Sequence, residues 1–153
     1  MKHDVKIAVA SDHAGLHLKQ EVIRFLQELG YQVLDRGCDT AERVDYPDFA
    51  SLVALDVQKN YAKFGILICG TGVGMAIAAN KFKGVRAAAM TDQYSTIMGR
   101  KHNDLNVLCL GGRVLGVGTA MLLVETFLTI PFEGDRHQQR LEKISEIENS
   151  QES

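Results

Sequence analysis

The sequence predicts an α/β fold in three layers, a five-stranded parallel sheet covered by helices on both faces, plus a C-terminal helical tail. Three observations carry this reading. Five short runs are almost wholly apolar and rich in β-branched residues, as strands buried on both faces require. Between them, apolar residues recur every three or four positions, the period of an amphipathic helix. The two patterns alternate along the chain, the arrangement that right-handed crossovers between parallel strands produce.

The elements follow in order. Val5 to Ala10 (VKIAVA) is the first strand. Ala14 to Leu29 then places Leu18, Val22, Phe25, Leu26 and Leu29 on one helical face, and Gly30 ends that helix. Tyr31 to Leu34 is the second strand; after a polar loop, Pro47 opens a helix whose apolar face uses Phe49, Leu52, Val53 and Val57. Phe64 to Cys69 is the third strand and Val73 to Asn80 a helix of small residues. Val85 to Met90 is the fourth strand, Asp92 to Lys101 a helix capped by Thr91 or Asp92, Asn106 to Leu110 the fifth strand, and Val117 to Leu128 the helix that closes the pattern. Strand order is not readable from these segments.

After Pro131 the composition shifts to EGDRHQQRLEKISEIENSQES, which is polar and helix-prone. Leu141, Ile144 and Ile147 give it only a thin apolar stripe, while Arg136 and Arg140 lie four apart on one face. We expect one domain over residues 1–153, in which residues 132–153 form a tail that need not join the core and packs on a partner subunit.

Bulk properties narrow the function classes. A chain of 153 residues buries roughly two-thirds of its unfolded surface, enough for one substantial core. A net charge of -2 with 24% charged residues gives no footprint for nucleic acid or an anionic membrane. Cys38, Cys69 and Cys109 are odd in number and unpaired in spacing, so they mark neither a disulfide framework nor a structural zinc site. The N-terminal apolar run is too short for a signal peptide, and TAMLLVETFLTI is interrupted by Glu125. A cytoplasmic, reducing location is expected.

Ligands of open parallel sheets collect outside the carboxyl ends of the strands. The first strand ends in Ser11-Asp12-His13, the third in CGTGVG (Cys69 to Gly74), the fourth in Thr91-Asp92 and the fifth in Gly111-Gly112-Arg113. The helix after the fourth strand ends in RKHND, Arg100 to Asp104. Each has an ordinary use: Asp12 as a helix cap, Cys69 as a small buried hydrophobe, the histidines and arginines as surface groups. Their concentration at one predicted edge makes that edge the candidate site.

The glycines at 70, 72 and 74 allow positive φ and let a ligand reach bare backbone N–H groups, so the loop is an anion nest. As a dinucleotide fingerprint it fits poorly, because Met75 follows where a glycine or alanine belongs and the loop follows the third strand instead of the first. Asp92, 22 residues after Gly70, keeps that alternative open. A thiol at the start of the nest gives a second reading. Backbone donors favour a thiolate there and can hold a developing oxyanion, which suits acyl transfer, with Cys69, His102 and Asn103 as a triad, or proton abstraction beside a carbonyl.

Five segments together resemble a known family: SDHAG at 11–15, DYPDFA at 45–50, ILICGTGVGMAIAANK at 66–81, RKHNDLNVLCLGGRV at 100–114 and EGDRHQQRLEKI at 133–144. They are similar to the type B ribose-5-phosphate isomerases, a family that includes galactose-6-phosphate isomerase subunits. The resemblance implies a Rossmann-like sheet and cofactor-free, metal-free isomerisation of a sugar phosphate, in a homodimer or dimer of dimers with sites shared between subunits. It also implies roles. Cys69 is the base that moves a proton between C2 and C1, and the backbone of Gly70, Thr71, Gly72, Val73 and Gly74 holds the enediolate. His102, with Thr71, opens the sugar ring. Asp12, Asn103, Asp45 and Tyr46 bind the sugar, and His13, Arg113, Arg136 and Arg140 bind the phosphate. One branch of the family replaces the cysteine by a glutamate later in the loop; Met75 stands there in this chain, which places it in the cysteine branch.

Overall fold

In the computed structural model, which describes residues 1–151, five strands form one parallel sheet. They are β1 (Lys6–Ser11), β2 (Gln32–Asp35), β3 (Phe64–Cys69), β4 (Ala87–Ala89) and β5 (Val107–Gly111), in the order β2-β1-β3-β5-β4. Six α-helices accompany them: α1 (Leu16–Glu28), α2 (Tyr46–Gln58), α3 (Val73–Ala79), α4 (Gln93–Asn103), α5 (Val117–Thr129) and α6 (Arg136–Ser150).

Alternation along each strand sorts its side chains between two cores. Ile7, Val9, Ile66, Ile68, Leu108 and Leu110 point to one face, against Leu18, Val22 and Leu26 of α1 and Leu123, Val124 and Phe127 of α5. Ala8, Ala10, Leu67, Cys69 and Cys109 point to the other, against Ala50, Val53, Ala54 and Val57 of α2 and Met75 and Ala79 of α3. Both faces are therefore covered, as the all-apolar strands predict. The chain passes from β1 to β2 through α1, then reverses past β1 to β3 through α2 on the opposite face. Right-handed crossovers require that change of face when direction reverses. The reversal leaves a switch point between β1 and β3, where a crevice opens at the strands' carboxyl ends.

Two elements differ from the sequence reading. β4 is three residues long, not the six of Val85 to Met90, because it is an edge strand with one ladder partner, and side chains take over backbone bonds on its open edge (Asn80) and before it on the β5 side (Asn106). The Asn80 amide donates to the Ala87 carbonyl and accepts from its N–H, both at 2.8 Å, and Asn106 Oδ1 accepts from the Arg86 N–H at 2.7 Å. Helix α4 is capped by Asp92, whose carboxylate accepts from the Ser95 N–H at 2.7 Å, and runs on through His102 and Asn103 until Asp104 turns left-handed at φ 46. The tail, whose composition did not require it to join the core, docks on its own chain: α6 packs on α4, His137 and Leu141 are buried, and the Glu148 carboxylate accepts from the Gly84 N–H at 3.1 Å. Beyond Leu141 the apolar stripe is open, with Ile144 48% and Ile147 64% exposed. Among the described residues no helix is long and apolar enough to cross a membrane.

Candidate active site

Close packing of backbones at the switch point is possible only with glycine. A side chain on Gly15 would lie 2.6 Å from the Ile68 carbonyl oxygen, and one on Gly111 would lie 2.9 Å from the Thr71 backbone. The ends of β1, β3 and β5 are drawn together by Asp12 N–H to Ile68 O (3.1 Å), Gly112 N–H to Cys69 O (2.8 Å) and Arg113 N–H to Gly70 O (3.1 Å).

Cys69 is the last residue of β3, and its sulfur accepts a hydrogen bond from the Gly72 N–H at 3.1 Å. The bond depends on a left-handed turn, Gly72 having φ +84 and the Leu110 backbone 3.1 Å from where its Cβ would be. Thr71 Oγ1 accepts from the Val73 N–H at 3.2 Å and holds the rest of the loop open toward solvent. The Tyr46 ring lies over Gly74, where a Cβ would be 2.7 Å from it, and the Arg113 guanidinium crosses Gly70, 3.7 Å from the corresponding point. Asp12 is buried and does serve as a cap, its Oδ1 accepting from Ala14 N–H (3.0 Å) and Gly15 N–H (3.1 Å). His13 accepts from the Val44 N–H through Nδ1 at 3.2 Å, which brings the polar loop before α2 over the crevice. Asp45 precedes α2 and makes no capping bond. One rim thus gathers Asp12, His13, Asp45, Tyr46, Cys69, the loop Gly70 to Gly74 and Arg113.

Cys69 is also 5% exposed and packed in the α2–α3 core, so the buried-hydrophobe reading is half right: the sulfur faces its loop from the edge of that core. Cys109 lies on the same side of the sheet, and burial, reinforced by Cys69 nearby, pushes its thiol well above the usual range.

His102 and Asn103 are elsewhere, which corrects the expectation of a single edge. Helix α4 begins after β4's carboxyl end and runs back to the start of β5, so its last turn lies at the opposite edge of the sheet. Cys69 is level with Gly111, at the far end of β5. The four steps between the five residues of β5, at ~3.3 Å each, keep the two places about 13 Å apart or more. A Cys69-His102-Asn103 triad within one chain is therefore ruled out. Asp92 is engaged as a cap at the end of β4, with β5 between it and β3, so it does not stand beside the glycine loop as the ribose-binding acid of a dinucleotide site.

The second cluster forms where α6 meets α4. The His102 and His137 rings stack with centroids 4.1 Å apart and planes 13° from parallel. Glu133 is tied to α4 by its N–H bond to the Lys101 carbonyl at 3.1 Å, and its carboxylate lies 3.7 Å from His137 Nε2. Arg136 and Arg140 start α6 beside these groups and are exposed. Burial, then His102 and Arg136, push His137 below the ordinary histidine range, and Glu133 opposes them only in part. The sequence reading named His102, Asn103, Arg136 and Arg140 here but missed Glu133 and His137. Both stand in the quoted EGDRHQQRLEKI segment, but only the fold puts them against His102.

Fold and rim together define a doubly wound α/β protein of the acid–base kind, with a thiol at the switch point in a nest of backbone donors. Comparison with known proteins makes this specific. The family model described as Ribose/Galactose Isomerase matches residues 7–144, and the chain belongs to that family. Ribose-5-phosphate isomerase B of Escherichia coli K12 is 50% identical over 143 residues, covering 94% of this chain and 96% of the relative. The solved structure of ribose-5-phosphate isomerase B from Clostridium thermocellum superposes with a TM-score of 0.94 at 49% identity, covering 95% of this chain and 99% of that one. The Mycoplasma genitalium enzyme, solved with bound ribulose-5-phosphate, gives a TM-score of 0.92 at 44% identity over 95% and 97% of the two chains.

Proposed function

We propose that this chain is an aldose–ketose isomerase that interconverts D-ribose 5-phosphate and D-ribulose 5-phosphate, the non-oxidative pentose phosphate step, at sites shared between two copies. The carrying observation is the Cys69 sulfur bonded to the Gly72 N–H in a loop of further donors. Similarity to relatives named for this activity supports the substrate.

The chemistry follows from the groups present. A sugar C2 proton is a very weak acid, so its removal needs both a base and stabilisation of the enediolate oxygens. Cys69 takes the proton from C2 and returns it to C1 on the same face, while the hydroxyl proton moves from O2 to O1. The loop Gly70 to Gly74 holds the developing charge, its Gly72 and Val73 N–H groups turning from Cys69 Sγ and Thr71 Oγ1 to the substrate oxygens, and one such donor is worth a hundredfold or more in rate, about 3–4 kcal/mol. No redox or Lewis-acid step is needed, in line with the expected absence of a cofactor or metal in catalysis.

Ring opening and phosphate binding require the second cluster, since His102, Asn103, Arg136 and Arg140 stand at the wrong edge for their own Cys69. A second copy, docked so that its α4–α6 end covers this rim, supplies them. His102 with Thr71 moves protons at the ring oxygen and C1 hydroxyl, and Asp12, Asn103, Asp45 and Tyr46 hold the sugar. His13 and Arg113 then meet Arg136 and Arg140 of the other copy around the phosphate, with planar guanidinium groups suited to its oxygens. The three free thiols fit a reducing cytoplasm. The test is an isomerase assay across five- and six-carbon sugar phosphates: turnover of ribose 5-phosphate is expected, and tight nucleotide binding without turnover would overturn the reading.

A further inference from the structure

We infer that His102, His137 and Glu133 form a site for a divalent transition-metal ion of the zinc type. Their ligand atoms lie within 4.8 Å of one another. Two imidazoles and one carboxylate are a donor set that binds zinc, and imidazole selects against magnesium and calcium. His137 supplies the independent sign of a ligand: it is 2% exposed, and its Nε2 is buried without a hydrogen-bond partner. A buried polar nitrogen left unpaired costs free energy that a bound ion would recover.

The scaffold is built before any ion arrives. The Glu133 N–H to Lys101 carbonyl bond at 3.1 Å and the Arg100 Nε to Ile130 carbonyl bond at 3.1 Å hold the segment before α6 along the end of α4. Glu133 and His137 are four apart, and the carboxylate is already 3.7 Å from Nε2. Bonds of about 2.0–2.2 Å require donors roughly 3–3.5 Å apart around a tetrahedral ion. The present spacing closes by turning the Glu133 carboxylate, 41% exposed and held by Lys101 only at 3.8 Å, and by swinging the half-buried His102 ring out of its stack on His137. Three protein ligands leave a fourth position for water.

The consequence rests on the proposed function. A His102 ring whose lone pair is on a metal cannot carry the ring-opening proton, so the ion inhibits the isomerase reversibly and chelation restores it. This ion is distinct from any catalytic metal, because the proton transfers use none.

Cobalt(II) titration of the metal-stripped chain, read by visible ligand-field absorption, tests binding without reference to turnover. One cobalt per chain with a tetrahedral spectrum, displaced by zinc, is expected. Glu133→Gln, at an exposed position that does not threaten folding, and His137→Asn should each weaken binding about tenfold or more, while Cys69→Ala should leave it unchanged. Absence of a spectrum at submillimolar cobalt, affinity unchanged in both variants, or a thiolate charge-transfer band lost in Cys69→Ala would overturn the site. Binding as expected with full turnover in zinc would uphold the site and overturn instead the role given to His102.

Discussion

The Gly72 N–H donates to the Cys69 sulfur at 3.1 Å, closing the turn from Cys69 to Gly72 around the proposed base. This bond fixes the sulfur against its own loop, while the Val73 N–H is taken by Thr71 Oγ1 at 3.2 Å. Cys69→Ala removes the base and leaves the donors. Turnover of ribose 5-phosphate should fall by about 10²–10⁴-fold with KM little changed, since general-base catalysis is worth that much and the phosphate grip is untouched. Steady-state kinetics on the variant decides it, and near wild-type turnover would remove Cys69 as the base.

Gly72→Ala probes the donor instead. A Cβ there would meet the Leu110 backbone at 3.1 Å on a residue with φ +84, so it adds a left-handed penalty of about 1–2 kcal/mol to a contact that backbone cannot relieve. The variant should melt lower and also lose kcat beyond what its lower stability explains at a temperature where it is fully folded. Thermal melts and kinetics on the same preparation separate the two effects.

The shared site makes a sharper prediction. Arg136 and Arg140 stand at the edge opposite Cys69 in one chain, so a Cys69→Ala chain and an Arg136→Ala/Arg140→Ala chain damage different halves of a site. In a heterodimer of the two, one composite site carries every lesion and the other none. Each heterodimer should therefore show about half the wild-type turnover, and an equal, freely exchanging mixture of the two nearly inactive preparations about a quarter, since roughly half its dimers are mixed. Verified heterodimers without recovery would show that the sites are not shared.

Much of this architecture was legible in the chain and one relation was not. All-apolar strands with glycine and polar residues at their ends determine a doubly covered sheet with a reactive rim, because only buried strands tolerate such sequences. Cys69, Asp12, His13 and Arg113 fell on that rim because each directly follows or ends a strand. The expectation that His102 shares an edge with Cys69 in one chain failed for a topological reason: a helix returning from a strand's carboxyl end terminates at the other edge, so polar residues at its end cannot share that chain's rim. The fourth strand was overextended because apolar residues continue past the point where an edge strand loses its ladder, and Asn80 completes Ala87 through side-chain bonds that no periodicity reveals. Glu133 and His137 carried no local signal, since their meaning is their contact with α4.

Cys109 predicts alkaline behaviour. Burial and the nearby Cys69 hold its thiol protonated in the folded chain, well above the value of an unfolded cysteine, about 8.5. A raised folded pKa contributes stability that is complete below the unfolded value and is lost as pH rises above it, because only the unfolded chain then sheds the proton. Stability should fall above about pH 8.5, and Cys109→Ala should flatten that part of the slope while lowering the plateau through its small cavity. Urea melts at several pH values measure both; an unchanged alkaline slope would remove Cys109 as the cause.

His137 predicts the opposite limb. Its ring is buried against His102, with Arg136 and Arg140 adding positive charge and Glu133 compensating only in part, so its folded pKa lies below the unfolded value of about 6.5. Above that pH both states are neutral and nothing is lost. As pH falls below it the unfolded chain takes up a proton that the folded chain refuses, so stability declines on acidification. His137→Phe keeps a ring for His102 to stack on but does not titrate, so the difference in melting temperature between pH 7.5 and pH 5.5 should be smaller in the variant than in the wild type, given the window that begins near 6.5. Equal acid slopes would show that other groups, carboxylates foremost, carry the acid limb.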